Sequence, residues 1–385
     1  MKYQIKYENG IANRGNLTRL KEVMERATRG ETLTIGFIGG SITQGSLATA
    51  PERCYAYRVY RWWCENFPKA DFTYANAGIG GTTSQFGVAR VEEDLLTKEP
   101  DFVIIEFSVN DESTAHFMET YEGLVRRVYG DKRAPAVLLV HNVYYHSGAN
   151  AQLMHGRIGR HYDLPAVSMQ STIFPEVVAG RIKNEDITPD DLHPNDEGHA
   201  MVASVITYFL EQVKQETTGT VLWNPLPEPL TANAYEDSMR LRNTDTTPIL
   251  NGFTADMTEQ KDITDCFKHG WTATEEGASI RFFVEGSCIA VQYRKSVKKP
   301  APIAVAVVDK DEAHAVTLDA NFEEDWGDKL ELATILEHGV IKKHQVEIRL
   351  LKVPKENVVP FYLVSVIGSG RFSGADLEKG LELPE

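Results

Sequence analysis

Apolar residues recur at helical spacing over residues 16–28, where Leu17, Leu20, Val23 and Met24 share one face and Gly30 marks the end. The run TLTIGFIG at 32–39 is short, apolar and β-branched, which predicts a strand. A helix over 53–66, stopped by Pro68, separates it from a second strand at 72–78. Further strands are predicted at 101–110 and 136–145, with a weaker one at 165–169. Helical stretches fall near 85–97, 115–129 and 195–213. Strands that are apolar on both faces and alternate with helices predict a parallel sheet covered on both sides, a three-layer α/β/α arrangement.

The pattern changes after residue 215. A proline-rich stretch reads as a linker over 216–235, and beyond it strand-like runs dominate, at 278–295, 301–310, 313–319, 344–353 and 360–370. Their alternating apolar positions predict an antiparallel, jelly-roll-like all-β sandwich over 236–385. The expected organisation is therefore an α/β domain at 1–215 followed by an all-β domain, which suits a chain of 385 residues.

Charge narrows the partners. Lys plus Arg number 40 against 55 Asp plus Glu, and the resulting net charge of −15 repels phosphate backbones and anionic lipid. Nucleic acid and membrane surfaces are disfavoured, and neutral ligands such as sugars fit. No run of 18 apolar residues suggests a membrane span, and the N-terminal segment has no apolar core of a secretory signal, so a cytoplasmic location is expected. Cys54 and Cys64 sit ten residues apart in one predicted helix, a rise of about 15 Å that no disulfide bridges. Cys266 and Cys288 could approach across strands, and free thiols are the expectation for all four.

Four segments at the C-terminal ends of predicted strands carry candidate chemistry, the place where open α/β sheets put their ligand sites. GFIGGSITQG holds Ser41 at a strand-to-helix turn, where a following helix lends backbone N–H groups to a developing anion. A phosphate loop or a simple helix cap would look similar, but the dinucleotide glycine spacing is not met and no G-K-[ST] follows. NAGIGGTTSQFG (76–87) lets backbone approach a bound group, with the Gly81 N–H as a candidate oxyanion donor or merely part of a turn. EFSVNDES (106–113) offers the Asn110 amide, in a pair that also forms turns. ITPDDLHPNDEGHA (187–200) places Asp190 three residues before His193, so that the carboxylate can fold back onto Nδ1 and leave Nε2 as a base. Asp191 is the rival carboxylate, and two residues before the histidine it would more naturally point away.

Together these segments resemble the SGNH (GDSL-type) hydrolase superfamily, whose four blocks supply a nucleophilic Ser, an oxyanion Gly, an oxyanion Asn and a D-x-x-H pair. They stand here in that order as Ser41, Gly81, Asn110 and Asp190/His193, within residues 31–213. The literal G-D-S-L is absent, with Gly40 in place of the Asp and Ile42 in place of the Leu. The resemblance implies a flavodoxin-like fold, with Ser41, Asp190 and His193 catalytic and an oxyanion hole built from Ser41, Gly81 and Asn110. An SGNH domain followed by a β-sandwich is similar to the two-domain acetylmannan esterases of carbohydrate esterase family seventeen, whose second domain is like a carbohydrate-binding module. That implies removal of acetyl groups from mannan-type oligosaccharides, with no metal or other cofactor required.

Other residues have plainer readings beside functional ones. The aromatic run Tyr55, Tyr57, Tyr60, Trp62, Trp63 and Phe67 reads as helix core, and His199 as structural. His141, His146, His155 and His161 show no metal spacing and read as surface or packing residues. Trp326, in the acidic segment NFEEDWGDK, is a candidate sugar-stacking residue or a core anchor, and Trp271 a weaker second. A sandwich edge offers a homodimer contact. The rivals are a lysophospholipase or arylesterase of the same superfamily, and a non-catalytic glycan-binding protein.

Overall fold

A computed structural model describes residues 3–216, 225–356 and 359–371. The chain separates into two compact units, Met1–Thr231 and Ala232–Glu385. Part of the expected linker, 217–224, lies outside the described residues. The stretch 225–231 belongs to the first unit, where the Leu230 and Thr231 N–H groups donate to the buried Glu122 carboxylate at 2.6 and 2.7 Å.

The first unit alternates as the hydrophobic pattern predicts. Its described elements are β1 (Ile11–Asn13), α1 (Thr18–Arg29), β2 (Thr32–Gly39), α2 (Ser41–Gln44), α3 (Tyr55–Asn66), β3 (Asp71–Gly78), α4 (Ser84–Asp94), β4 (Phe102–Glu106), α5 (Ala115–Tyr129), β5 (Ala136–His141), α6 (Gln152–His161), β6 (Ala166–Ser168), α7 (Ile173–Val178), α8 (Asn184–Ile187) and α9 (Asp196–Gln215). The sheet order is β1-β6-β5-β4-β2-β3, with β3 to β6 parallel to β2 and only the edge strand β1 antiparallel. The five parallel strands have the flavodoxin-like order 2-1-3-4-5. The sheet is thus mixed, because a three-residue N-terminal strand with no sequence signal of its own closes one edge.

Alternation along the strands divides the two faces. Leu33, Ile35 and Phe37 of β2 and Leu138 and Val140 of β5 form one core with α1, α3 and α9. Leu139 points the other way, to α6, where a Cβ on Gly159 would lie 2.9 Å from its methyl group. The aromatic run of α3 packs on the first face, with Tyr55 and Trp63 fully buried. Cys54 caps this helix instead of continuing it, its Sγ accepting from the Tyr57 N–H at 3.4 Å.

Two strands end earlier than their apolar runs. β4 stops at Glu106 because Ser108 folds back, its N–H and hydroxyl both 3.2 Å from the Glu106 carboxylate. β5 stops at His141, after which the Asn142 carbonyl is taken by the Ser108 hydroxyl and the Asn150 amide. Both endings build loops at the sheet's C-terminal edge.

The second unit is all-β. Its described strands are β7 (Met239–Leu241), β8 (Ile249–Asn251), β9 (Thr254–Ala255), β10 (Trp271–Ala273), β11 (Ser279–Gly286), β12 (Cys288–Lys295), β13 (Ile303–Val308), β14 (Val316–Asp319), β15 (Lys329–Leu336), β16 (Lys342–Lys352) and β17 (Phe361–Ser369). They form two antiparallel sheets packed face to face, ordered β15-β12-β17-β10-β9, with β7 also on β17, and β14-β13-β16-β11-β8. Ile280, Phe282, Val346 and Ile348 meet Val291, Leu363 and Val366 in the core between them. Trp271 lies in that core, edge-to-face on Phe282, so it is an anchor and not a sugar platform. The strand β15 lies in a stretch for which no strand is predicted.

Candidate active site

β2 lies between β3 and β4, so the chain leaves it in opposite directions and opens a crevice at the strands' C-terminal ends. Ser41 begins the single-turn α2 immediately past β2, and Asn110 follows the turn after β4, where its N–H donates to the Phe107 carbonyl at 3.0 Å. The glycines before Ser41 are set by close packing: a Cβ on Gly39 would meet the Thr43 hydroxyl at 2.2 Å and the Glu106 carbonyl at 2.4 Å.

His193 arrives from the other end of the unit. Asn195 caps α9, its side-chain oxygen accepting from the Glu197 and Gly198 N–H groups at 3.0 Å, and this fixes the turn just before it. His193 Nε2 lies 2.8 Å from Ser41 Oγ, and Nδ1 lies 2.6 Å from Asp190 Oδ2. The other Asp190 oxygen accepts from the His193 and Leu192 N–H groups at 2.7 and 3.1 Å. Partial burial works to raise the Asp190 carboxyl, but the His193 ring and these N–H groups outweigh it and hold the pKa below the usual aspartate value. An ionised Asp190 keeps the proton on Nδ1 and the Nε2 lone pair toward Ser41. Asp191 is turned away at φ +72°, its carboxylate held by the Asn184 amide at 2.8 Å.

The glycine loop after β3 is tied down one N–H at a time. Gly78 donates to Asn76 Oδ1 at 2.9 Å, Ile79 to the Gly39 carbonyl at 3.1 Å and Gly80 to Gln44 Oε1 at 2.6 Å. Gly81 comes next with φ +68°, a conformation that suits glycine, and its N–H has no protein acceptor among the described residues. Ser41, Gly81, Asn110, Asp190 and His193 are thus all in the first unit. Trp326 is in the second, more than half exposed, edge-to-face on Phe322, with its indole N–H on Glu324 at 2.6 Å.

Residues to which the sequence assigns no catalytic role support this arrangement. Gln44, three residues past Ser41, fixes Gly80 from the opposite loop. The loop after α2 is stapled to the start of α9, where Asp196 accepts from the Thr49 N–H and hydroxyl and from Arg53; chiefly through the Thr49 N–H its pKa drops to about 2. His199 is buried and bridges the Tyr55 N–H and the Ser46 carbonyl, and burial lowers its pKa to about 4. Beneath the site the fully buried Glu106 is raised to about 7, principally by desolvation. Of the surface and packing readings His155 takes the second: it is buried, 3.0 Å from Asp111, which in turn accepts from the Ser84 N–H. None of these carries a local motif; each depends on a partner from a distant segment.

A serine at the head of a one-turn helix, an imidazole on its hydroxyl, a carboxylate on the imidazole and donors from two further loops of a flavodoxin-like sheet define a serine hydrolase of the SGNH type. Residues 37–201 match the GDSL-like Lipase/Acylhydrolase family, and the chain belongs to that family, an ester hydrolase with a C-terminal all-β unit. It is similar to the crystal structure of a two-domain esterase active on acetylated mannans, at 69% identity and TM-score 0.95, over 96% of this chain and 100% of that one. A second structure of such an esterase, co-crystallised with mannopentaose, is 70% identical with TM-score 0.93 over the same shares. Among curated proteins, thioesterase 1/protease 1/lysophospholipase L1 of Escherichia coli (strain K12) is 24% identical over 187 residues, 46% of this chain and 82% of that protein. No helix among the described residues is long and apolar enough to cross a membrane.

Proposed function

We propose that this chain is a serine esterase that removes O-acetyl groups from acetylated mannan-type oligosaccharides through an acetyl-Ser41 intermediate. The hydrogen-bonded line from Asp190 through His193 to Ser41 carries the chemistry of this reading. Likeness over 96% of the chain to an esterase active on acetylated mannans supports the substrate.

In this mechanism His193 Nε2 takes the Ser41 hydroxyl proton as Oγ attacks the acetyl carbonyl carbon. The negative charge moves to the carbonyl oxygen, which receives hydrogen bonds from the Ser41 and Gly81 N–H groups and the Asn110 amide. The intermediate collapses, the sugar oxygen leaves with the proton from His193, and the acetyl group stays on Ser41. A water molecule then gives its proton to His193 and attacks the acetyl-enzyme; the proton returns to Ser41 Oγ and acetate departs. Asp190 holds the ring and stabilises the imidazolium in both halves. The second unit acts as a glycan-binding module, with Trp326 as its stacking residue.

Acetate release from acetylated mannan and acetylated xylan oligosaccharides, run beside C2–C12 esters for wild type and Ser41→Ala, tests the whole reading. The expected result is rapid release from mannan, activity that falls off beyond short acyl chains, and loss of about 10⁴-fold or more in Ser41→Ala. Equal rates on xylan would remove the mannan preference. A maximum at long acyl chains would indicate a lysophospholipase-like enzyme, and equal inertness of both proteins would leave glycan binding as the function.

A further inference from the structure

The residue before the nucleophile is Gly40, at φ −88° and ψ −148°. That φ lies outside the left-handed region that favours glycine, and the requirement for one shows in space. A Cβ built on Gly40 would lie 2.1 Å from Asn110 Oδ1, 2.8 Å from its Cγ and 3.1 Å from its Nδ2. These are overlaps with the functional end of the side chain, which comes from a different loop, seventy residues on. The amide is seated directly against the Gly40 Cα, oxygen end inward.

The buried Asn110 Oδ1 has no hydrogen-bond partner, although a buried amide oxygen ordinarily finds one. Its neighbour is the Cα hydrogen that replaces a side chain at Gly40, a weak C–H···O donor that an oxygen accepts and an NH₂ group cannot. The same seat therefore sets both the position of the amide and which end faces inward.

We propose that Gly40 is a positioning residue: by lacking a side chain it seats the Asn110 amide oxygen-inward, which turns Nδ2 toward the oxyanion formed at Ser41. The proposal rests on Asn110 being an oxyanion donor, and the test separates the two. A side chain at residue 40 pushes the amide out of the hole, so Gly40→Ala acts as though Asn110 had been deleted. A mutational cycle with p-nitrophenyl acetate, using wild type, Gly40→Ala, Asn110→Ala and the double variant, reads this directly.

The expected result is a loss of roughly 10²–10³-fold in kcat for each single variant, as for one oxyanion donor, with KM within a few-fold of wild type. The double variant should be no slower than Asn110→Ala, because nothing remains for the added methyl group to displace. If Gly40→Ala misfolds, the double variant should still fold, as judged by circular dichroism, with the kinetics of Asn110→Ala. Wild-type kcat in Gly40→Ala beside an impaired Asn110→Ala overturns the positioning role alone. So do multiplicative losses in the double variant, or a double variant that fails to fold. Wild-type kcat in Asn110→Ala overturns the oxyanion assignment and the positioning role together.

Discussion

At the scale of single residues, the two adjacent carboxylates near His193 differ in what they can do. Asp190 spends one oxygen on backbone N–H groups and the other on the imidazole, whereas Asp191 is turned off by its positive φ and occupied by Asn184. Asp190→Asn should therefore lower kcat roughly 10²–10⁴-fold, since an amide can hydrogen-bond to the ring in the wrong tautomer. Asp191→Asn should leave kcat within about two-fold. Steady-state kinetics on p-nitrophenyl acetate checks both, and equal losses would mean that the contact with Nδ1 does not distinguish the two. The preference for Asp190 was already legible, because a carboxylate three residues back reaches Nδ1 within one turn. That Asp191, only two residues before the histidine, points away was legible too; the partner that holds it there, Asn184, was not, because it comes from the fold.

The elements themselves are held by groups buried between them. Glu106 ends β4, fully buried, with the Ser108 N–H and hydroxyl on one oxygen and the Thr43 hydroxyl 3.5 Å from the other. Desolvation raises its pKa from an ordinary 4.5 to about 7. The folded state then binds more protons than the unfolded state between those values, so this group's contribution to stability falls as pH rises from about 4.5 to about 7 and is level above. The loss is roughly 3 kcal/mol at 1.36 kcal/mol per unit. His141 and His199, lowered by burial to about 3 and about 4, work in the opposite sense, losing stability as pH falls below about 6.5. A comparison of Glu106→Gln with wild type cancels the histidines. The variant should be the more stable at pH 8 and lose that advantage near pH 4.5 in chemical denaturation. An advantage independent of pH would show that Glu106 is not the titrating group. None of this was legible from the run DFVIIEFSVN, which reads as continuous strand to residue 110 because nothing local marks Glu106 as the residue on which the chain folds back.

For the whole molecule, the candidate catalytic groups are confined to the first unit, while the second exposes Trp326, edge-to-face on Phe322. Trp326→Ala should raise KM for acetylated mannan oligosaccharides roughly two- to ten-fold, the scale of one aromatic contact, and leave p-nitrophenyl acetate hydrolysis unchanged. Equal effects on both substrates, or none on either, would remove Trp326 from substrate binding. The sequence by itself determined the α/β-then-β order, the parallel strands and the candidates Ser41, Gly81, Asn110, Asp190 and His193, because the first three follow apolar strand runs, the last two share one short D-x-x-H turn, and the chemistry of each is readable within a few residues. Only the tertiary structure decided the antiparallel edge strand, the burial of Trp271 and of His155, the hold of Gln44 on Gly80, and the seat of Asn110 against Gly40. Those depend on segments far apart in the chain arriving within van der Waals or hydrogen-bond distance, and no local pattern of residues encodes such a distance.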